Sequence, residues 1–587
     1  PVAAHSSGVI KADSIVSTIA SVTLVALLFA LFYRRALASA LIGGVAAAGI
    51  LVGLGVHALF VREVSPLAAV VGALLAGLGT DYGIHFLSHY DEHRARGMDA
   101  SASAVETSRT MLLPIATNCF TSIFGFASLW PSPIRMLRDF STMGAAGLVG
   151  ALVAVFALMP ALLRIVDRRV AVPLAAPARM AKLTDSVVAR PGRWLGAALG
   201  VLCVLAAGAI TRGSGLEFEP DLTVMHPRPS PPLDAAAAIA DRFGEGGEFV
   251  PVEVRAASTS ELLGTAHRLT DELLARSDVG VRAVLGLQVL IPAPGAEERV
   301  RRALATLDPE SVRACFDRRV NESAFDLDSY GQYRRFLGDL VAAAHCPTVA
   351  DLLRYPALAE RIFPAGSGAE PTSTVLVIRL AEPLTDRAQR TRVITALAET
   401  TRQFPGVTLA GLPAVSEELE QATREGLPAS VALSITLVVG WLWLVFRRAR
   451  LVALALIPLL FAAGATVCFM MATGAKFNPI NSVAIPLLDG IAVDAGVFLV
   501  SAARSHSASR EELRVHLRAT THAVMLAVLT TVTAFAALCF SHTPAIRSLG
   551  MVSAVGAAAS MFGALFVLMP LLVRSAPAVG RGTSGHP

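Results

Sequence analysis

The chain has 587 residues, 54% of them hydrophobic and only 16% charged, with a formal net charge of +5. A soluble domain carries about a quarter charged residues, so a wholly soluble protein is excluded. The small positive balance collects in loops on one side of the apolar runs, which is not the signature of a nucleic-acid binder.

The sequence opens at Pro1-Val2 with neither an initiator Met nor a signal-like segment, and its natural N-terminus is expected to lie upstream. A membrane span needs about 20 predominantly apolar residues. Such runs fall at 14–33, 36–60, 64–88, 112–130, 140–163 and 194–211, then at 427–446, 449–472, 480–503, 523–541 and 549–573. Basic residues crowd alternate loops: Arg34-Arg35, Arg94 and Arg96, then Arg164 through Arg193, then Arg447, Arg448 and Arg450, and finally Arg504 through Arg518. Those loops are therefore cytoplasmic, and 212–426 lies outside. The implied organisation is a first transmembrane repeat over 1–170, a cytoplasmic linker over 171–193 and a single span over 194–211. An extracytoplasmic domain over 212–426, a second repeat over 427–574 and a cytoplasmic tail over 575–587 follow.

The two five-span blocks are duplicates. One offset of 413 carries Arg34-Arg35 onto Arg447-Arg448, Pro66 onto Pro479, Asp81 onto Asp494, Gly83 onto Gly496 and Thr117 onto Thr530. Near the end the offset falls to 410, where Ala157-Leu158-Met159-Pro160 recurs as Val567-Leu568-Met569-Pro570. The second block follows a span and an external domain, so symmetry predicts the same pair ahead of the first block in a twelve-span parent. The external segment carries strand patterns at 249–254, 374–378 and 407–409, with helices over 259–276 and 385–403. Paired strand–helix–strand units predict a ferredoxin-like split fold. Cys315 and Cys346 are the two cysteines of this segment, placed where a disulfide can form or where both stay free.

Asp81 and Asp494 each interrupt an apolar run. A charged Asp at a helix centre costs about 2.5–3.5 kcal/mol on insertion scales, so each is expected to be neutral or paired. Helix anchoring accounts for one such residue, but two at equivalent positions point to function. Small residues flank both: Gly77, Gly79 and Gly83 in one span, Gly490 and Gly496 in the other. They predict close packing of the two Asp-bearing helices. Thr117, Asn118 and Thr121, with Thr530, Thr531 and Thr533, form polar stripes on the helices that follow. Proton transfer and interhelical hydrogen bonding, about 0.6 kcal/mol each, account for them equally. Ser509-Arg510-Glu511-Glu512 reads as a capping box, and Asp99 opens the matching helix of the first half.

The run Gly79-Thr80-Asp81-Tyr82-Gly83-Ile84-His85-Phe86, with Tyr90-Asp91-Glu92 beyond it, resembles the RND superfamily, specifically its MMPL-type lipid exporters. Thr117-Asn118 and Gly125 through Leu129, and their counterpart over 529–535, carry the same resemblance. It implies a mainly α polytopic membrane protein: two pseudo-repeated helix bundles, a periplasmic α/β porter domain, and a core similar to sterol-sensing proteins. It also implies proton-driven export of a hydrophobic or lipidic substrate from the inner membrane, with a non-transporting lipid or sterol sensor as the alternative. The family places an Asp-Tyr pair in each half, each Asp facing the other half's Tyr. Here Asp81-Tyr82 is matched by Asp494-Ala495, so Asp494 is expected to keep Tyr82 while Asp81 is left with His85, water or no partner. The implied partners are lipid, protons, the membrane and a second copy of the chain, with no nucleic acid. No nucleotide-binding loop, zinc-ligand spacing or nucleophile elbow is present, so no enzyme activity, cofactor or metal is expected.

Overall fold

The computed structural model describes residues 2–33, 36–61, 65–166, 178–212, 217–219, 222–243, 249–322, 330–343, 347–363, 370–382, 384, 386–505 and 510–575. Five helices open the chain: α1 (Val2–Tyr33), α2 (Ala36–Phe60), α3 (Pro66–Ala95), α4 (Ala100–Ala127) and α5 (Arg135–Val166). An amphipathic helix α6 (Ala178–Ala189) and the span α7 (Pro191–Arg212) follow. Chain-entry signals are local: Ser65 accepts from the Ala68 N–H ahead of α3, and Asp99 accepts from the Ala102 N–H ahead of α4. Both place a side-chain oxygen on a helix donor that has no backbone acceptor. Ser509, Cys346 and therefore the expected capping box and cysteine pair lie outside the described residues.

The external segment supplies β1 (Phe249–Arg255), α8 (Thr259–Ala275), β2 (Val281–Leu285), β3 (Ser373–Leu380), α9 (Arg387–Arg402) and β4 (Val407–Leu409). The sheet order is β2-β3-β1-β4 with every pairing antiparallel. That is the ferredoxin-like arrangement, in which each strand–helix–strand unit straddles the other. Alternation is strict in β3, and Leu376, Ile378 and Leu380 bury against Leu262, Leu269 and Leu273 of α8. Between β2 and β3 the described residues are mostly helical. This compact unit runs from Ala235 to Glu418.

The chain continues with α10 (Leu412–Phe446), a short helix Ala449–Ala455, and α11 (Ile457–Thr473). Then come α12 (Ala484–Ile491), α13 (Asp494–Ser505), α14 (Arg510–Ala537), α15 (Pro544–Gly563) and α16 (Met569–Ser575). Helix α10 begins well before the apolar run at 427, because 412–426 is helical but too polar for a hydropathy window. The span expected over 480–503 is divided: it breaks at Ala492-Val493, and Asp494 opens its second piece.

Residues 1–234 and 419–587 form the second compact unit, and among the described residues 11 helices are long and apolar enough to cross a membrane. Its packing crosses the repeats: α3 lies against α14, and α12 against α4. The apolar windows of the two Asp-bearing spans are 100% and 94% buried, against 6% for α7 and 22% for α1. Protein, not lipid, therefore surrounds both aspartates.

Candidate functional site

Asp81 and Asp494 are 6% and 8% exposed. Each is held by the helix of the opposite repeat. Thr530 Oγ1 lies 3.0 Å from Asp81 Oδ1 and Thr531 Oγ1 lies 3.1 Å from Asp81 Oδ2, both from α14. Thr121 Oγ1 lies 3.1 Å from Asp494 Oδ1 and Ser122 Oγ lies 3.4 Å from Asp494 Oδ2, both from α4. The network also orients Asn118: its amide nitrogen faces Asp494, donating at 3.1 and 3.3 Å.

Glycines make this reach possible. A Cβ on Gly77 would sit 2.5 Å from the Ala534 Cβ, and one on its equivalent Gly490 would sit 2.6 Å from the Thr121 carbonyl oxygen. Each glycine precedes its aspartate by one turn, so the partner helix closes onto the level of the carboxyl. Gly83 and Gly496, also equivalent, instead admit the preceding helix of their own repeat, at Ile42 and Ala455. Gly79 does the same at Ala46. The expectation that these small faces pack the two Asp helices on each other is thus corrected. Those helices meet through side chains, where His85 stacks on its own register equivalent Phe498 with ring centroids 3.5 Å apart.

Two further expectations, those for His85 and for part of the polar stripes, are corrected. His85 does not pair with Asp81, whose oxygens are taken by Thr530 and Thr531; its Nδ1 is buried without a hydrogen-bond partner. Tyr82 is buried with its hydroxyl beside the Cys119 thiol of its own repeat and within electrostatic reach of Asp494, whose hydrogen bonds come from α4. Of the polar stripes, Thr533 bonds the Leu529 carbonyl of its own helix at 2.7 Å, and the buried Thr117 hydroxyl has no partner among the described residues. Ser122 is the site residue that sequence reasoning missed; it adjoins Thr121, and a helical-face count from Asn118 would have included it.

The two aspartates border one cavity of about 20 Å³, together with His85, Asn118, Thr531 and Ser560. That is room for one water molecule. Among the described residues no cluster of His, Cys, Asp and Glu has the makings of a metal site.

The sequence profile of the MMPL family matches residues 1–199 and 295–581. The chain belongs to the MMPL family. It is a multi-pass protein of the inner membrane, of the RND type. Two curated relatives, each called hopanoid transporter HpnN, come from Rhodopseudomonas palustris and Burkholderia multivorans. They are 33% identical over 150 and 141 residues, which is 26% and 24% of this chain but only 16% and 15% of theirs. The fold is similar to crystal structures of SecDF, one of them from Thermus and titled a translocon-associated membrane protein. These share 14% identity with TM-scores of 0.53 and 0.51, covering 96% of this chain and 62% of each of theirs.

Proposed function

We propose that this protein uses an inward flow of protons to export a hydrophobic or lipidic substrate from the inner membrane. The observation that carries the reading is the crossed ligation of Asp81 and Asp494. A hydroxyl holds one hydrogen and can both donate and accept. Thr530 Oγ1 lies 2.6 Å from the Ala527 carbonyl as well as 3.0 Å from Asp81, and Thr121 Oγ1 lies 2.7 Å from the Asn118 carbonyl as well as 3.1 Å from Asp494. Neither hydroxyl can donate to both neighbours at once. A carboxylate draws the hydroxyl hydrogen to itself. A carboxylic acid donates its own proton to the hydroxyl oxygen, whose hydrogen then turns to the backbone carbonyl. Each site accommodates both protonation states with every polar atom partnered, which a fixed salt bridge would not do.

Because each aspartate belongs to one repeat and its hydroxyls to the other, gain or loss of a proton changes the contact between repeats. This is where a proton can act on conformation. The single-water cavity gives the two carboxyls a common proton-exchange route. The substrate class rests on the hopanoid transporters among the relatives, and the domain over 235–418 supplies a candidate substrate-handling surface.

The test is pH-gradient-driven movement of a labelled hopanoid-type lipid in liposomes carrying the wild type, Asp81→Asn or Asp494→Asn. Both substitutions should abolish the gradient dependence. Wild-type transport by both variants would remove the proton role, and gradient-insensitive lipid binding by all three would favour a lipid sensor.

A further inference from the structure

Two equivalent serine ladders run inward from the external side of the membrane unit. On α10, Ser430 and Ser434 lie one turn apart, and Ser434 Oγ donates to the Pro486 carbonyl of α12 at 3.3 Å. The offset of 413 carries this pair onto Ser17 and Ser21 of α1. Ser21 Oγ donates to the Ala73 carbonyl of α3 at 2.9 Å, and Ala73 is the equivalent of Pro486. Ser21 and Ser434 are both fully buried.

The ladders differ in what they meet. Beside Ser434 lies the carboxyl of Asp489, which is 3% exposed and whose Oδ2 has no hydrogen-bond partner among the described residues. Its equivalent in the first repeat is Ala76. Helix α4 meets α12 through the backbone of Thr121 and Ser122 at Gly490, and α11 and α15 come in at Thr466 and Gly556. None of these neighbours is charged, and on its own span the next titratable group is Asp494. The outer ends differ too. Asp13 of α1 is held by Ser541 and His542. Its equivalent Gly426 instead lines a cavity of about 10 Å³ with Thr423, Ser430 and Ser482, at the lower limit for one water molecule.

An acid buried at membrane depth is costly and marks a functional position. The Ser434 hydroxyl stands between a carbonyl and a carboxyl, as Thr530 and Thr121 do. A proton arriving at Ser434 Oγ releases the hydroxyl's own hydrogen to the Asp489 carboxylate, and rotation of the hydroxyl restores its bond to Pro486. Asp489 precedes Asp494 by five residues, roughly 7.5 Å of helix rise. The break at Ala492-Val493 falls between them and takes peptide groups out of the regular ladder there.

We propose that Asp489 is a third proton-binding carboxyl, fed from the external side along Ser430 and Ser434, and that the second repeat is the entry side for protons delivered to Asp494. This rests on the proton-driven reading above. The first ladder has the same serines and the same carbonyl bond but no carboxyl at its foot, so it is the internal control.

The test follows proton uptake, by a trapped pH-sensitive dye, into liposomes carrying the whole protein and the labelled lipid, with acid imposed outside. Asp489→Asn and Ser434→Ala should each slow uptake by at least about tenfold, and Ser434→Thr should recover most of the rate. Ser21→Ala removes the equivalent hydroxyl from the equivalent bond and should stay close to wild type. A purely structural part would slow both serine variants alike. Wild-type uptake by Asp489→Asn, or equal loss in Ser21→Ala and Ser434→Ala, overturns the proposal. Infrared difference spectra between neutral and acid pH need no gradient. One component of the protonated-carboxyl band, shifted by heavy water, should vanish in Asp489→Asn, and a band unchanged in that variant also overturns the proposal. If that component vanishes but wild-type uptake ignores the gradient, the proton-driven reading and the delivery to Asp494 fall, while Asp489 stands as a proton site.

Discussion

Replacing Gly490 with alanine adds one methyl group and tests how the site is assembled. The new Cβ would lie 2.6 Å from the Thr121 carbonyl oxygen and 2.9 Å from the Ser122 Cα, where ordinary contact begins at 3.4 Å. Both neighbours are backbone atoms of α4, so the helix itself must retreat, by about 0.8 Å. Taken along the bond, that retreat moves Thr121 Oγ1 from 3.1 Å to roughly 3.9 Å from Asp494, beyond hydrogen-bond range. Overpacking of this kind costs about 1–3 kcal/mol. Gly77→Ala should do the same to α14 and Asp81, since its Cβ would meet Ala534 at 2.5 Å. Gly43 in α2 has nothing within 4 Å of an added Cβ and is the control. Unfolding in mixed SDS micelles, followed by helical circular dichroism, should show both site variants destabilised by about 1–3 kcal/mol and Gly43→Ala within about 0.5 kcal/mol of wild type. Equal stability of Gly490→Ala and Gly43→Ala would refute the close-approach argument.

The double substitution Thr530→Val and Thr531→Val removes both hydroxyls from Asp81 while nearly preserving shape. Gradient-driven transport in liposomes should be lost with wild-type circular dichroism, and Thr530→Ser with Thr531→Ser should retain it. Asp13, 6% exposed, accepts from Ser541 Oγ at 2.7 Å and the His542 backbone N–H at 2.7 Å, and its Oδ1 lies 2.8 Å from His542 Nδ1. Hydrogen bonds to a charged group contribute about 1.5–3 kcal/mol each, so Asp13→Ala should speed amide exchange at 541–543 and lower the melting temperature, while Asp13→Glu should be milder.

Periodicity and repeat logic carried most of the membrane unit. Apolar runs locate spans because lipid demands them, and the constant offset pairs Asp81 with Asp494 before any coordinates. The small α/β unit was legible where strands alternate cleanly, as in β1 and β3. Strand β2 escaped because Val281-Arg282-Ala283-Val284-Leu285 is short, interrupted by an arginine, and lies at the sheet edge with one neighbour. What the sequence hid was partnership. The offset shows which residues are equivalent, not that each aspartate reaches across to the other repeat. Both helices approach closely, at Gly77 and Gly490, yet Thr530 meets Asp81 while Asp494 is met one turn further along by Thr121 and Ser122, and Thr117, the equivalent of Thr530, has no partner among the described residues.

His85 poses the sharpest energetic question in the site. Its ring stacks on Phe498 at 12° between planes, an arrangement that any flat ring would provide. A stack of this kind is worth about 0.5–1.5 kcal/mol beyond burial. Against it stands a buried Nδ1 without a partner among the described residues, and an unsatisfied buried polar group costs about 1–3 kcal/mol. Phenylalanine would keep the stack and remove the cost, as Phe498 does at the equivalent position. His85→Phe should therefore be at least as stable as wild type, whereas His85→Ala should lose the stack and leave a void. If His85 serves proton exchange through the water-sized cavity it lines, His85→Phe should also be slow in gradient-driven transport despite that stability. A stable and fully active His85→Phe would reduce His85 to packing. A destabilised one would show that Nδ1 holds a bound water strongly enough to reverse the sign of the balance.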